Sequence, residues 1–471
     1  MYLCLNYCIQ SSALGVIKQK IGDPLSVITG KRTIRQRDNP SVDYPQRINR
    51  QRDNPCPAEG NPSVDNPSED KPSRDNPCPA ESNPSVDNPS KGQSVSGQST
   101  KDNPSKGQFY TLVNQAKNSD PNARLAAVSR IRGLLWNGAN LNEVAIAEFV
   151  SIGAVPVLVN CLKSTDDKLL AEAAWALKNI SYVKAQEVVE AGAVPPLVKL
   201  LQSENMDLCE CTAWALRDIT AASDDLALAV IEAGALPPLV NLLQSENMEL
   251  FKCIASALAI IAAVKAQEVV EAGAVPLLVK LLESPNLEVC KCTVDVLANI
   301  AYVKAQEVVE AGAVPPLVML LQSPNLEVRK QTVRALAYIA CFASLDHARE
   351  VVEAGAVPPL VKLLQSPDMD LCKNTVLALK GISYVKARKV VKAGAVPPLV
   401  KLLQSPNMVL CENTAWTLKN IAGASDDLAL AVIEAGALPP LLNLLKSQNK
   451  YVCEEASLAI GNIIGRYMDL Q

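Results

Sequence analysis

The sequence predicts an all-α solenoid of stacked helical units behind a low-complexity tail. Three observations carry this. The phrase EAGAVPPLVKLL, at Glu190–Leu201, recurs in eight versions anchored on Gly153, Gly192, Gly234, Gly273, Gly312, Gly355, Gly394 and Gly436. The anchors are almost evenly spaced: Gly192, Gly273, Gly312 and Gly394 each follow their predecessor at one shorter interval, and Gly234, Gly355 and Gly436 at a slightly longer one. A period of about 40 residues marks units that bury their apolar faces only against each other. Each anchor glycine is followed by one or two prolines, from Pro156 to Pro439 and Pro440. Glycine ends a helix in the left-handed region, and proline opens the next where no amide hydrogen is needed.

Residues 1–106 form the tail. Asp53–Ser68 (DNPCPAEGNPSVDNPS) returns as Asp75–Ser90, with fragments at Asp38–Asp43 and Asp102–Gln108. Pro, Asn, Ser and Asp dominate, leaving little to bury, so disorder is expected. The Asn-Pro-Ser triplets are not glycosylation acceptors, because proline holds the excluded middle position. The first residues, MYLCLNYCIQSSALGVIKQK, lack a basic leader and are interrupted by Asn6 and Gln10, which argues against a secretory signal.

The solenoid spans residues 107–471. Asn122–Trp136 has helical apolar spacing and represents the long helix of an incomplete first repeat. Each later unit should run as a short helix up to the glycine (Ala185–Glu190), a second helix after it (Pro195–Gln202), a Ser-Pro-Asn or Ser-Glu-Asn turn, and a longer third helix such as Leu326–Ala340. Trp136 falls outside the repeating register and is expected to pack structurally.

The totals exclude several functions. Net charge is −4, so no basic field points to nucleic acid. No run of 18 apolar residues suggests a membrane span. Of the 14 cysteines, Cys209, Cys290, Cys372, Cys411 and Cys453 share one repeat position and Cys211, Cys253 and Cys292 another. Stacked equivalents lie roughly 10 Å apart, beyond the ~7 Å Cα limit for a disulfide. With one histidine, His347, and no CxxC spacing, neither a zinc site nor catalysis has residues to work with. The thiols are expected to be reduced small hydrophobes, as in cytosol or nucleus. Asp224-Asp225 and Asp426-Asp427 are expected to be capping and solvated acids.

Function is expected where the repeats stop agreeing. At one fixed distance after each anchor, on the third helix, stand Trp175, Trp214, Ser256, Asp295, Arg334, Leu377, Trp416 and Leu458; one turn later stand Asn179, Asp218, Ile260, Asn299, Tyr338, Gly381, Asn420 and Asn462. They share one helix face and vary as exposed positions do. Side-by-side indoles offer slots for the alkyl stems of Lys or Arg, each cation gaining ~0.5–2 kcal/mol over a ring. An Asn amide can pair with an extended peptide backbone, and Asp218, Asp295 and Glu172 would add charge complementarity. Packing of the tryptophans between repeats is the competing reading.

The three-helix plan, with EAGAVPPLV at the corner and AWALKNI in the third helix, resembles the armadillo-repeat family, and within it the importin-α adaptors that carry nuclear-localisation signals. The resemblance covers residues 107–471 and implies a right-handed superhelical solenoid with a concave groove. It implies that Trp175/Asn179 and Trp214/Asp218 form an early signal-binding set, that Trp416/Asn420 belongs to a late set, and that Arg334 lies between them. Asp295, Asn299 and Asn462 complete the candidate site. Ser256/Ile260 and Leu377/Gly381 depart from the pattern, so a shortened groove of lower affinity is expected. The resemblance further implies cargo proteins with basic peptide segments as partners, no cofactor, no metal and no membrane, for a monomer of cytoplasm and nucleus. GKRTIRQR (Gly30–Arg37) is the only approximation to an importin-β-binding segment, and a solvated basic patch is the stronger reading of it. A non-import armadillo scaffold of ciliary, cytoskeletal or adhesion type remains open, favoured by near-identical units at Tyr182 and Tyr302 that suggest recent copying.

Overall fold

The computed structural model describes residues 106–136, 140–342 and 344–469. The expected tail, including Gly30–Arg37, lies outside them. Among the described residues are 22 helices and one isolated bridge, between Trp136 and Leu141. Helix begins at Lys106, just before the expected boundary. The incomplete first repeat holds Lys106–Gln115 and Pro121–Leu134. Trp136 lies beyond that helix and is 42% exposed, so it does not pack as expected.

The corner works as its sequence demands. All eight anchor glycines have positive φ, between 75° and 87°. At Gly192 the glycine amide donates to the Val189 carbonyl (2.9 Å) and the next amide, Ala193, to Val188 (3.3 Å), the paired bonds that close a helix around a left-handed residue. Val194–Leu200 then starts with proline inside its first turn. The chain bends by 89° between Asp224–Glu232 and Leu236–Leu242, and by 84° between the equivalent Asp426–Glu434 and Leu438–Leu444.

The second turn is capped as a set. Asn205 accepts from the amides of Asp207 and Leu208, while its own amide donates to Ser203 Oγ. Asn247, Asn325 and Asn449 repeat this, and Asp166 and Asp368 substitute for Asn.

The unequal repeat lengths have a local cause. In the four units with the shorter period the third helix does not stop before the next unit's first helix. Asp167–Glu190, Met248–Glu271, Leu287–Glu310 and Met369–Lys392 each run 24 residues, interrupted by one non-helical residue: Lys184, Lys265, Lys304 or Lys386. The expected free-standing helix Ala185–Glu190 is therefore the arm beyond a kink. Where the period is longer, the residues Ser223, Ser344 and Ser425, in extended conformation, separate the elements and start nine-residue first helices. At Ser344 the cap is reciprocal with His347, whose Nδ1 accepts from the Ser344 amide. The lone histidine is a capping residue.

Successive third helices stack face to face, and buried residues from Phe109 to Ile463 form one continuous apolar cluster. Met248–Glu271 is long and apolar enough to cross a membrane by length and composition alone, which run-counting in the sequence did not register. In the fold it is a third helix of the stack, with Leu250, Ile254, Leu258 and Ile261 buried.

Cysteine has a specific place in this design. Sγ of Cys209, Cys290, Cys372, Cys411 and Cys453 lies 3.0–3.2 Å from the carbonyl of the turn serine, Ser203, Ser284, Ser366, Ser405 or Ser447, and reaches the last carbonyls of the second helix. In the one unit with Arg329 at this position, its Nη1 donates to Ser323 O at 2.6 Å. The thiol is a small polar cap for an otherwise orphaned helix end.

Candidate functional site

The ladder is real as a register, and its chemistry differs from the simple expectation. Trp175, Trp214 and Trp416 are all partly buried on third helices, and Trp175 and Trp214 pack against the core. Their partners one turn on are not uniformly exposed: Asn179 is 5% and Asp218 7% accessible. The expectation that these positions vary because they are exposed fails at those two.

The asparagines bind the neighbouring repeat. Asn299 Nδ2 donates to Ala259 O (2.8 Å), Asn420 Nδ2 to Lys380 O (3.3 Å) and Ser383 Oγ (3.2 Å), and Asn462 Nδ2 to Lys419 O (3.0 Å). In each case the acceptor holds the same repeat position, just before the second ladder residue of the preceding unit. These amides tie one third helix to the next. Their oxygens remain as the groups that can face a ligand, and at Asn299 the Oδ1 already accepts from Arg334 Nη2 at 3.0 Å.

Asp295, Asn299 and Arg334 converge. Arg334 Nη2 reaches back one repeat to Asp295 Oδ1 at 2.9 Å. Burial pushes the Asp295 carboxyl above its ordinary range, opposed by the Arg334 charge beside it. One turn further along the same face, Tyr302, Tyr338 and Phe342 form an aromatic cluster with centroids 5.1–5.8 Å apart. Tyr302 and Phe342 also line a cleft of about 330 Å³ with Lys304, Glu307 and His347. Glu172 is engaged by Arg132, whose Nε lies 2.6 Å from its carboxylate.

The residues that sequence reasoning missed sit on the indoles. Lys178 Nζ lies 5.0 Å from the Trp175 centroid and 5.9 Å from that of Trp214, between the two rings. The Arg217 guanidinium is 4.6 Å from Trp214. Trp416 carries two cations, Lys380 at 3.6 Å and Lys419 at 4.3 Å. Burial lowers the Lys380 ammonium from the ordinary lysine range, and Lys419 pairs with Glu455 at 2.7 Å. The signal was in the spacing: Trp175/Lys178, Trp214/Arg217 and Trp416/Lys419 stand at i and i+3 on a helix, where side chains are neighbours.

Gly381 lacks the ladder amide for a steric reason. A β-carbon at Gly381 would collide with the Ala340 carbonyl oxygen, so the two third helices meet there through backbone. Among the described residues no group of three or more His, Cys, Asp or Glu is placed to hold a metal ion.

Comparison with known proteins agrees with this architecture. An engineered protein of known structure superposes with a TM-score of 0.70 at 37% identity, covering 75% of this chain and 88% of that one. Computationally designed armadillo repeat proteins for modular peptide recognition match at 38% identity with a TM-score of 0.47, over 48% of this chain and 99% of that one. Importin subunit alpha-3 of Caenorhabditis elegans is 45% identical over 65 residues, which is 14% of this chain and only 12% of that protein. The profile of the Armadillo/beta-catenin-like repeat matches eight successive segments, 150–182, 184–221, 223–263, 265–302, 304–341, 345–384, 386–423 and 425–465. With eight such units covering most of its length, the chain belongs to the Armadillo/beta-catenin-like repeat family.

Proposed function

We propose that this protein is a non-catalytic adaptor that holds an extended peptide segment along its row of third helices. The carrying observation is the Trp and Asn or Asp pairs at invariant register on those helices, Trp175/Asn179, Trp214/Asp218 and Trp416/Asn420. Stacked third helices repeat side chains along a line, as an extended chain repeats its own. Indole faces offer flat apolar area, and the partly exposed Asn420 offers an acceptor beside one of them. The test is fluorescence polarisation with labelled twelve-residue peptides rich in Glu, Lys or Gln. Trp175→Ala/Trp214→Ala should abolish binding of whichever peptide the native chain prefers. Undiminished binding by the double variant defeats the proposal.

A second reading makes the peptide a basic nuclear-localisation signal and the protein an import adaptor moving between cytoplasm and nucleus. The local identity to importin subunit alpha-3 favours it. Under it the Lys-rich peptide binds best, added salt weakens the complex, and importin-β co-purifies only if Gly30–Arg37 provides its contact. Recovery of cytoskeletal or membrane proteins without basic cargo would favour the scaffold reading instead.

A further inference from the structure

We propose that Lys178, Lys380 and Lys419 are specificity-determining residues that set the charge of the bound peptide. They exclude Lys and Arg side chains from the indole faces and favour a segment carrying carboxylates. The inference rests on the reading that this face holds an extended peptide, and concerns which peptide.

The first ground is occupancy. A cation gains from an indole only by lying over its face. Lys178 already lies between Trp175 and Trp214, and Trp416 has Lys380 and Lys419 within 3.6 and 4.3 Å of its centroid. An incoming lysine must displace one of these or approach it as a like charge, at a cost in either case.

The second ground is the charge of the face. It comprises the two ladder positions, the position just before the second of them, and the position one turn beyond. There stand Lys178, Arg217, Arg334, Lys380, Lys419 and Arg466, against two acids, Asp218 and Asp295. Each acid is engaged by one of those arginines, Asp218 by Arg217 and Asp295 by Arg334. Lys380 donates to Asn413 Oδ1 at 3.2 Å and faces the Glu412 carboxylate, while Lys419 and Arg466 have acidic partners, Glu455 and Asp426, from neighbouring positions. With Asp218, Asp295, Glu412, Glu455 and Asp426 all counted, the six cations still outnumber the acids they meet, in a chain whose net charge is −4. Arg217 and Arg334 each keep a buried Nε without an acceptor, so donors outnumber acceptors here. Charge complementarity selects a carboxylate-bearing segment.

The test uses the full chain and the three labelled peptides, Glu-rich, Lys-rich and Gln-rich. The native protein should bind the Glu-rich peptide at least tenfold more tightly than the Lys-rich one. Lys178→Gln/Lys380→Gln/Lys419→Gln should lose tenfold or more for the acidic peptide and gain for the basic one. Lys199→Gln/Lys280→Gln/Lys362→Gln, with the same charge removed from second-helix sites, should change neither. Preference of the native chain for the Lys-rich peptide, or equal effects of the two triple variants, overturns the inference while leaving the peptide-binding face intact. Binding of none of the three peptides would remove the peptide-binding reading itself.

Discussion

Arg217 serves its own neighbour in sequence: its Nη2 lies 2.8 Å from Asp218 Oδ1 while its guanidinium stacks 4.6 Å from the Trp214 centroid. The pair does not fully compensate the burial of the acid. Burial pushes the Asp218 carboxyl from 3.8 up to about 6, against the pull of Arg217 and Lys178. A raised carboxyl pKa means that the folded state holds the proton more tightly, so this residue's contribution is present below pH 4 and is lost as pH rises through about 6. At about 1.4 kcal/mol per pKa unit the loss is on the order of 3 kcal/mol. Asp218→Asn should therefore raise the melting temperature at pH 7.5, with the advantage shrinking as pH falls toward 4. A constant difference between the two proteins across that range would show that Asp218 does not titrate with folding.

Much of this was legible in the sequence, and the limits have physical causes. The corner glycines could be read because positive φ leaves little choice of residue, and all eight adopt it. The third-helix register could be read because Gly-to-ladder spacing never varies. Burial of Asn179 and the backbone bond of Asn420 could not, since both depend on how closely adjacent third helices approach. The kink at Lys184 was hidden for a local reason: the linker lacks the serine that caps the first helix in the longer units, and helix resumes at once beyond a single non-helical residue. Lys178 was legible but overlooked, being one helical neighbour from Trp175.

At Gly381 two repeats meet through their backbones. The missing β-carbon leaves room for the Ala340 carbonyl, and the Cys341 thiol donates to Leu377 O at 3.0 Å in the same seam. Gly381→Ala should destabilise the array by roughly 1–3 kcal/mol, the usual range for overpacking. Gly461→Ala, where a β-carbon meets nothing within 4 Å, should be neutral or mildly stabilising. Thermal melts of the two variants give the comparison, and equal melting temperatures would contradict the close contact.

The turn-capping thiols should be structural, and two further thiols buried in the stack, Cys211 and Cys341, inert. Cys411 Sγ lies 3.2 Å from Ser405 O and 3.4 Å from Leu403 O. Cys411→Ala removes that donor and should cost about 1 kcal/mol, while Cys411→Ser, which keeps a donor, should cost less. Burial also pushes Cys211 up to about 12 and Cys341 up to about 11, far from the thiolate needed for reaction at neutral pH. Folded protein at pH 7.5 should leave both unlabelled by iodoacetamide, as read by peptide mass mapping. Rapid modification of Cys211 would mean that the stack opens locally.

The asparagine ladder makes opposite predictions for its two roles. If Asn420 existed only to hold a peptide, Asn420→Ala would leave the free protein's stability unchanged and alter binding alone. Its Nδ2, however, donates to Lys380 O and Ser383 Oγ on the preceding repeat. Removing it takes a partner from each of these groups, at about 1 kcal/mol per bond lost. Asn420→Ala should therefore lower the melting temperature of the unliganded chain, and Asn462→Ala should do the same through Lys419 O. Asn420→Asp tests the donor specifically: it keeps the shape and an outward oxygen but offers the Lys380 carbonyl an acceptor in place of an N–H. At pH 7.5 it should destabilise at least as much as alanine. A variant as stable as the native protein would return Asn420 to a purely ligand-facing role.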